Sequence, residues 1–158
     1  SIALQYKSRT ILGVVYEVNR DECFHAFEGN GAFMNDDPIN VSDTRKLSDS
    51  LIATGFPFRD FGIVDEYLEI FKKLMRSTRG LRRLGSAAVD LAYVACGRFD
   101  SFYEFNLNPW DVAAGEFIIR EAGGQVSDFN GNDRYLYGRQ ILASNSIVHS
   151  EMLDLIRK

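Results

Sequence analysis

The first 60 residues alternate apolar and polar positions with the period of two that is typical of β-strands. Polar and glycine-containing turn sequences separate the apolar runs. The stretch Asn35-Asp36-Asp37-Pro38 predicts one hairpin-like turn. The pattern predicts strands at residues 2–6, 11–18, 23–27, 32–34 and 51–54, the last of them buried.

Helical and strand-like periods alternate from residue 61 onward. Apolar residues spaced three and four apart predict an amphipathic helix between Gly62 and Ser77. Ser86 and Gly97 delimit a nearly all-apolar helix at residues 87–96, typical of a helix buried on most sides. Further helices are predicted at residues 108–122 and 148–157, the latter capped by Ser146, with strands at residues 81–84, 99–105, 125–127 and 141–143.

This order of elements favours an α/β (α+β) fold in which sheets and helices form layers. We expect one unit over residues 1–158, in which residues 1–60 are mainly strands and residues 61–158 alternate helices with strands. The composition agrees, because 46% hydrophobic and 25% charged residues are ordinary for a globular domain.

Charge and apolar run length exclude two classes of partner. Eighteen basic and 22 acidic residues give a net charge of −4, without the basic stripe that nucleic-acid binding requires. No apolar stretch approaches the roughly 20 residues of a membrane-spanning helix. Cys23 and Cys96 are predicted to be buried free thiols, which favours a reducing compartment and a cytoplasmic location.

Two features carry candidate chemistry. Gly85-Ser86-Ala87 precedes the apolar helix, where backbone N–H groups either receive ligand oxygens or are simply capped by Ser86. Glu104 ends a predicted strand and Asp111 begins the next helix, so the two carboxylates can reach one rim of a sheet. There they suit a hard cation or sugar hydroxyls, although a solvated strand end and a helix-dipole carboxylate are the structural alternatives.

Other polar and aromatic residues have simpler interpretations. Asp90 is interpreted as a hydrogen-bonded structural carboxylate, because it lies a full turn past the helix start, and Glu121 as a surface residue. Trp110 is expected to anchor the core beneath the Asp111 turn. Phe56-Pro57-Phe58 either lines a pocket or packs locally. Arg82-Arg83 either binds phosphate or lies on a solvated strand edge.

Longer motifs resemble a known family. Trp110-Asp111-Val112-Ala113-Ala114-Gly115, followed by Glu121-Ala122-Gly123-Gly124, resembles the carboxy-terminal signature of the inositol monophosphatase family. Residues 85–95 resemble the helix that precedes this signature in the family, and residues 97–104 the strand between them. The early strands add weaker similarity, so the resemblance covers nearly the whole chain.

The resemblance implies a Mg²⁺-dependent, lithium-sensitive phosphomonoesterase with the layered sandwich of mixed and antiparallel sheets of the inositol monophosphatase/fructose-1,6-bisphosphatase superfamily. Asp111 matches a metal ligand that also lies at the substrate, Glu104 matches the residue that contacts substrate hydroxyls, and Gly85, Ser86 and Ala87 match the segment lining the polyol pocket. The implied substrate is inositol monophosphate or a related small sugar phosphate, and the implied assembly is a homodimer.

Other functions remain open. A fructose-1,6-bisphosphatase-like enzyme or a 3′-phosphoadenosine phosphatase would share the superfamily, whereas a non-catalytic dimerisation or interaction module would use the same fold without chemistry.

The chain departs from the family in one respect. The family's upstream glutamate ligand and its Asp-Pro-x-Asp-Gly-Thr loop are missing, so the chain resembles a carboxy-terminal portion and an incomplete fold. We expect that an amino-terminal portion is absent, that the chain alone is inactive, and that no catalytic residue lies in it. An exposed strand edge near Ser1 is expected to promote self-association.

Overall fold

The computed structural model describes residues 1–57 and 61–157, which form two five-stranded sheets and five α-helices. The first sheet contains β1 (Ile2–Tyr6), β2 (Arg9–Glu17), β3 (Glu22–Phe27), β4 (Ala32–Met34) and β5 (Asp37–Ile39). The second contains β6 (Leu51–Thr54), β7 (Gly80–Arg82), β8 (Ser101–Phe105), β9 (Gln125–Ser127) and β10 (Gln140–Ser144). The helices are α1 (Val64–Ser77), α2 (Ala87–Ala95), α3 (Pro109–Glu121), α4 (Tyr135–Gly138) and α5 (His149–Arg157), with short 3₁₀ turns at Leu47–Asp49 and Phe61–Ile63.

The first sheet is an antiparallel meander in the order β1-β2-β3-β4-β5. Its alternation places Val15, Phe24 and Ala26 on a buried inner face. The pairing of Leu4 with Leu12, and of Leu12 with Phe27, places those three residues in one row on the opposite face. Leu4 and Phe27 are each 52% exposed, so the outer face is apolar and open.

The second sheet is mixed and has the order β7-β6-β8-β10-β9. Strand β6 runs parallel to both β7 and β8, whereas β10 is antiparallel to β8 and β9. Because parallel neighbours end at the same edge, the carboxyl ends of β6, β7 and β8 lie together.

Helices α2 and α3 lie between the sheets, and α1 and α5 cover the far face of the second sheet. Phe24 of β3, Leu91 of α2 and Phe102 of β8 belong to the apolar core between the sheets. A second core contains residues of α1 and α5, such as Leu74 and Met152. These layers confirm the mixed α/β sandwich expected from the sequence.

Some predicted elements were wrong in detail. The hairpin-like turn predicted over residues 35–38 is present at Asn35 and Asp36, but Asp37 and Pro38 already belong to β5, which pairs with β4. Ser146 does not cap the last helix, because Asn145 Oδ1 accepts from Val148 N at 3.2 Å while Ser146 has a positive φ of 70°. The four-residue helix α4 was not predicted.

Four side-chain predictions were also wrong or incomplete. Trp110 lies on the first turn of α3 and is 70% exposed, so it is no core anchor. Glu121 is half-buried because its Oε2 accepts hydrogen bonds from Gly29 N and Gly31 N, both at 3.1 Å. Cys23 and Cys96 are free thiols as predicted, but they are only partly buried.

No helix within residues 1–57 and 61–157 is long and apolar enough to span a membrane.

Candidate active site

An open cavity of about 760 Å³ lies at the edge where β6, β7 and β8 end. Loops that follow parallel strands meet the amino termini of helices at such an edge, which is the usual place for ligands in α/β sheets. We call this cavity the carboxylate cleft; its lining includes Gly55, residues 85–88, Asp90, residues 104–108, Trp110 and Asp111. The cleft brings together every site residue predicted from the sequence: Glu104, Gly85, Ser86, Ala87 and Asp111.

Glu104 reaches the cleft from the end of β8 by packing on the backbone of Gly55, just after β6. A Cβ atom at Gly55 would overlap the Glu104 carboxylate, so the position accommodates only glycine without movement. Burial, together with the charges of Asp90 and Asp111, raises the pKa of Glu104 to about 7 against the opposing effect of Arg83.

The start of α2 forms a second wall. Ser86 Oγ accepts a hydrogen bond from Val89 N at 3.4 Å and so caps the helix, which was the structural alternative for this residue. Gly85 has a φ of 108°, a conformation that side-chain-bearing residues rarely adopt. Both residues also line the cleft, as does Ala87. Capping and ligand binding are therefore compatible at this helix start.

Asp111 lies at the start of α3 and is half-buried in the cleft wall. Its Oδ2 accepts from Asn108 N at 2.9 Å and from Asn108 Nδ2 at 3.3 Å, which closes a capping box. Within the described ranges, Oδ1 accepts no hydrogen bond. One carboxylate oxygen thus holds the turn, and the other is left for a ligand.

Asp90 was interpreted from the sequence as a hydrogen-bonded structural residue; the hydrogen-bonded part of that interpretation was wrong for Oδ1, and the structural role stays a prediction. Asp90 is 1% exposed and its Oδ1 has no hydrogen-bond partner. A full helical turn returns a side chain to the same face, and the Asp90 N–H bonds to Ser86 O at 2.9 Å. The carboxylate therefore lies below Ser86 and lines the cleft. Burial raises the pKa of Asp90 to about 7, while the positive charge of Arg83 opposes the rise.

The carboxylates that line the cleft are oxygen donors of the kind that Mg²⁺ prefers. Mg²⁺ takes six oxygen ligands and keeps several waters, so carboxylates such as Asp111 suit it. In the part of the chain that the structure describes, however, no group of three or more acidic, histidine or cysteine side chains is arranged to hold a metal. The residues present fit one side of a Mg²⁺ site and leave the remaining ligands to water, substrate or additional protein.

The aromatic and arginine residues that the sequence analysis considered for a pocket lie partly in the cleft wall and partly on the surface. Phe56 and Pro57 line the cleft, and the Arg83 guanidinium lies over the Phe56 ring at 5.4 Å from its centroid. Phe58 falls outside the described residues. Arg82 is exposed, and its Nη1 donates to Leu81 O at 2.9 Å. The sequence analysis missed Gly55 and Asp90; helical spacing from Ser86 was the available signal for Asp90.

Comparison with known proteins gives consistent matches over the whole chain. The family model described as inositol monophosphatase family matches residues 1–158. Nus factor SuhB of Pseudomonas aeruginosa is 45% identical over 159 residues, which cover 99% of this chain and 59% of that protein.

Solved structures agree with the sequence matches. The crystal structure of extragenic suppressor protein suhB from Bartonella henselae has a TM-score of 0.95 and 41% identity, covering 99% of this chain and 60% of the other. Inositol monophosphatase from Anabaena has a TM-score of 0.88 and 38% identity, covering 98% and 62%. The chain thus spans about 60% of the length of the relatives that it matches.

Proposed function

This chain belongs to the inositol monophosphatase family, and we propose that its carboxylate cleft forms part of the active site of a Mg²⁺-dependent phosphomonoesterase. The proposed substrate is inositol monophosphate or a related small sugar phosphate. One observation carries the proposal: Glu104, Asp111 and the start of α2 converge on one open cleft. Hydroxyl donors and a divalent cation are the ligands that such a surface accepts.

Each residue has a proposed role. Glu104 accepts hydrogen bonds from substrate hydroxyls, and the backbone of Gly85, Ser86 and Ala87 lines the polyol site, where first-turn N–H groups lack intrahelical partners. Asp111 offers Oδ1 to Mg²⁺ while Oδ2 holds the turn. When bound, Mg²⁺ would neutralise phosphate charge and lower the pKa of a bound water.

The described residues of the cleft include too few acidic groups to complete a Mg²⁺ site by themselves. We therefore propose that the 158-residue chain alone binds a polyol phosphate but does not release phosphate at the rate of an intact family member. The test measures phosphate release from inositol 1-phosphate with Mg²⁺, beside the Anabaena enzyme. Turnover comparable to that enzyme would contradict this proposal.

Binding experiments test the substrate class. Titration of the chain with inositol 1-phosphate, fructose 1,6-bisphosphate and 3′-phosphoadenosine 5′-phosphate, followed by NMR, ranks the three candidate classes. We expect inositol 1-phosphate to bind most tightly, and Glu104→Gln to weaken it about tenfold through loss of a charged acceptor. Stronger binding of either alternative would reassign the substrate, and no binding of any would refute the phosphatase proposal.

A second candidate function is interaction with the transcription machinery, and the name Nus factor carried by relatives at 45–46% identity favours it. This interaction module would not need the cleft. Binding of the chain to RNA polymerase should then persist in Asp111→Asn, whereas the enzyme proposal predicts that this substitution weakens Mg²⁺ binding. We propose no nucleic-acid or membrane partner.

Self-association is proposed through the outer face of the first sheet. Leu4 and Phe27 are half-exposed in one row of this face, and apolar sheet faces are normally covered. Sedimentation velocity should show a concentration-dependent dimer that Leu4→Lys weakens. Met75→Lys, at a 63% exposed residue of α1, is the matched control. A monodisperse monomer at all concentrations would contradict the proposal.

A reducing compartment, namely the cytoplasm, is the proposed location. Cys23 and Cys96 are both free thiols, which is the usual state of cysteine there.

A further inference from the structure

The short connection between β8 and α3 contains a residue in a conformation that side-chain-bearing residues rarely adopt. Strand β8 ends at Phe105 and α3 begins at Pro109, so residues 106–108 make the whole connection. Asn106 has a positive φ of 60°, in the left-handed region. Few residues other than glycine occupy this region, although asparagine tolerates it better than most. The conformation of Asn106 therefore requires a structural or functional reason.

The location of Asn106 suggests a functional reason. All of residues 106–108 line the carboxylate cleft. Within residues 1–57 and 61–157, Asn106 is the one side-chain-bearing residue with a positive φ in that lining. Gly85, with a φ of 108°, has the equivalent place between β7 and α2. Helices α2 and α3 both begin at the cleft, and each follows a strand through a residue with a positive φ.

Hydrogen bonding by the side-chain amide does not account for an asparagine at this position. Asn106 Nδ2 is buried and donates no hydrogen bond within the part of the chain that the structure describes. An unsatisfied amide group is unfavourable in a protein interior. The backbone carbonyl of Asn106, in contrast, accepts a hydrogen bond from Arg139 Nη2 at 3.4 Å. The feature of Asn106 that the fold uses is therefore its backbone conformation.

The turn at Asn106 sets the relation between two carboxylates of the cleft. Glu104 precedes the turn on β8, and Asp111 follows it on α3. Strands β6 and β10 pair with β8 on its two sides and hold it in place. A different φ at Asn106 would therefore move residues 107–111 and leave the strand where it is. Asp111 would then be displaced relative to Glu104.

We infer that Asn106 is a positioning residue, whose left-handed backbone directs Asp111 into the cleft that Glu104 lines. This inference rests on the proposed polyol-phosphate function and adds a residue that acts on the substrate through Asp111. It implies that the position accepts asparagine or glycine, because both tolerate a positive φ. A β-branched residue at this position would redirect the start of α3, since such residues do not tolerate that conformation.

The experiment compares Asn106→Val, which disfavours the left-handed region, with Asn106→Gly, which retains it. NMR titration with Mg²⁺ present measures the affinity of the 158-residue chain for inositol 1-phosphate. We expect Asn106→Val to weaken binding about tenfold, the effect of losing one hydrogen bond, and Asn106→Gly to restore it to within about twofold of wild type.

Asn35→Val is the matched control for loss of stability. Asn35 also has a positive φ, of 55°, but it lies between β4 and β5 and outside the cleft lining. The substitution should lower the urea midpoint of unfolding and leave the affinity for inositol 1-phosphate within about twofold of wild type. If Asn35→Val weakened binding as much as Asn106→Val, the loss would follow from stability and the inference would be overturned.

Hydrogen exchange at Asn108 N gives a second readout that needs no ligand. This amide donates to Asp111 Oδ2 at 2.9 Å, so its exchange rate reports whether α3 starts as in wild type. Asn106→Val should raise the rate about tenfold, and Asn106→Gly should leave it unchanged. An unchanged rate in Asn106→Val would overturn the inference.

The outcomes separate the inference from the proposed function. If Asn106→Val binds inositol 1-phosphate as wild type does, the inference fails and the proposed function stands. The same holds if Asn106→Gly binds as weakly as Asn106→Val, because the side chain would then matter rather than the backbone. If wild type does not bind, the proposed function fails, and the exchange rates at Asn108 decide the inference. Asn106→Ala replaces Asn106→Val if the latter does not fold.

Discussion

Asp90→Asn should make the stability of the chain less dependent on pH. Burial raises the pKa of Asp90 from 3.8 to about 7, with Arg83, Glu104 and Asp111 as the charged groups around the cleft. Between those pH values, the folded chain holds a proton that the unfolded chain releases, so the free energy of unfolding falls as pH rises. Three pH units, at about 1.4 kcal/mol each, correspond to about 4 kcal/mol.

The assay is urea unfolding of wild type and Asp90→Asn at pH 4, 5, 6, 7 and 8. The free energy of unfolding of Asp90→Asn minus that of wild type should be about 4 kcal/mol larger at pH 8 than at pH 4. This change is equivalent to roughly 10 °C in melting temperature. The buried amide of the variant changes the free energy of unfolding by the same amount at every pH. The test is therefore how the difference between variant and wild type changes with pH. Asp65→Asn, at an exposed position on α1, controls for the loss of one surface charge. A wild-type-to-variant difference that stays constant from pH 4 to pH 8 would refute the reasoning.

Three further predictions concern the cleft and the core. Gly55→Ala should displace the Glu104 carboxylate and weaken inositol 1-phosphate binding about as much as Glu104→Gln, roughly tenfold by titration; unchanged affinity would contradict the packing argument. Gly115→Ala should lower stability by about 1–3 kcal/mol in urea, because its Cβ would lie 2.5 Å from Leu91 Cβ. Burial lowers the pKa of His149 from 6.5 to about 4, so wild type should lose about 3 kcal/mol as pH falls through that range. His149→Gln should abolish this acid-dependent loss, and a persisting loss would assign it to other groups.

The sequence by itself determined the family and most of the elements. Alternation of apolar residues located β1 and β3, because a strand's side chains point to opposite faces and only one face of the first sheet is buried. A short apolar run after a polar loop located the buried strand β6. The motif around Asp111 identified the family, which the matching family model confirms. Glu104 and Asp111 were named as neighbours because a strand end and the next helix start can reach one rim of a sheet. The start of α2 joined them only through the family resemblance.

Tertiary structure alone decided how these residues are partnered. Two features depend on elements that are distant in the chain, so no local pattern encodes them: the lack of a hydrogen-bond partner for Asp90 Oδ1, and the close contact of Glu104 with Gly55. Trp110 was predicted to be buried because an indole is mostly apolar, yet it is 70% exposed at the rim of the cleft. Local periodicity reports which face of an element is buried, whereas the satisfaction of a particular polar atom depends on the three-dimensional arrangement of all the surrounding elements.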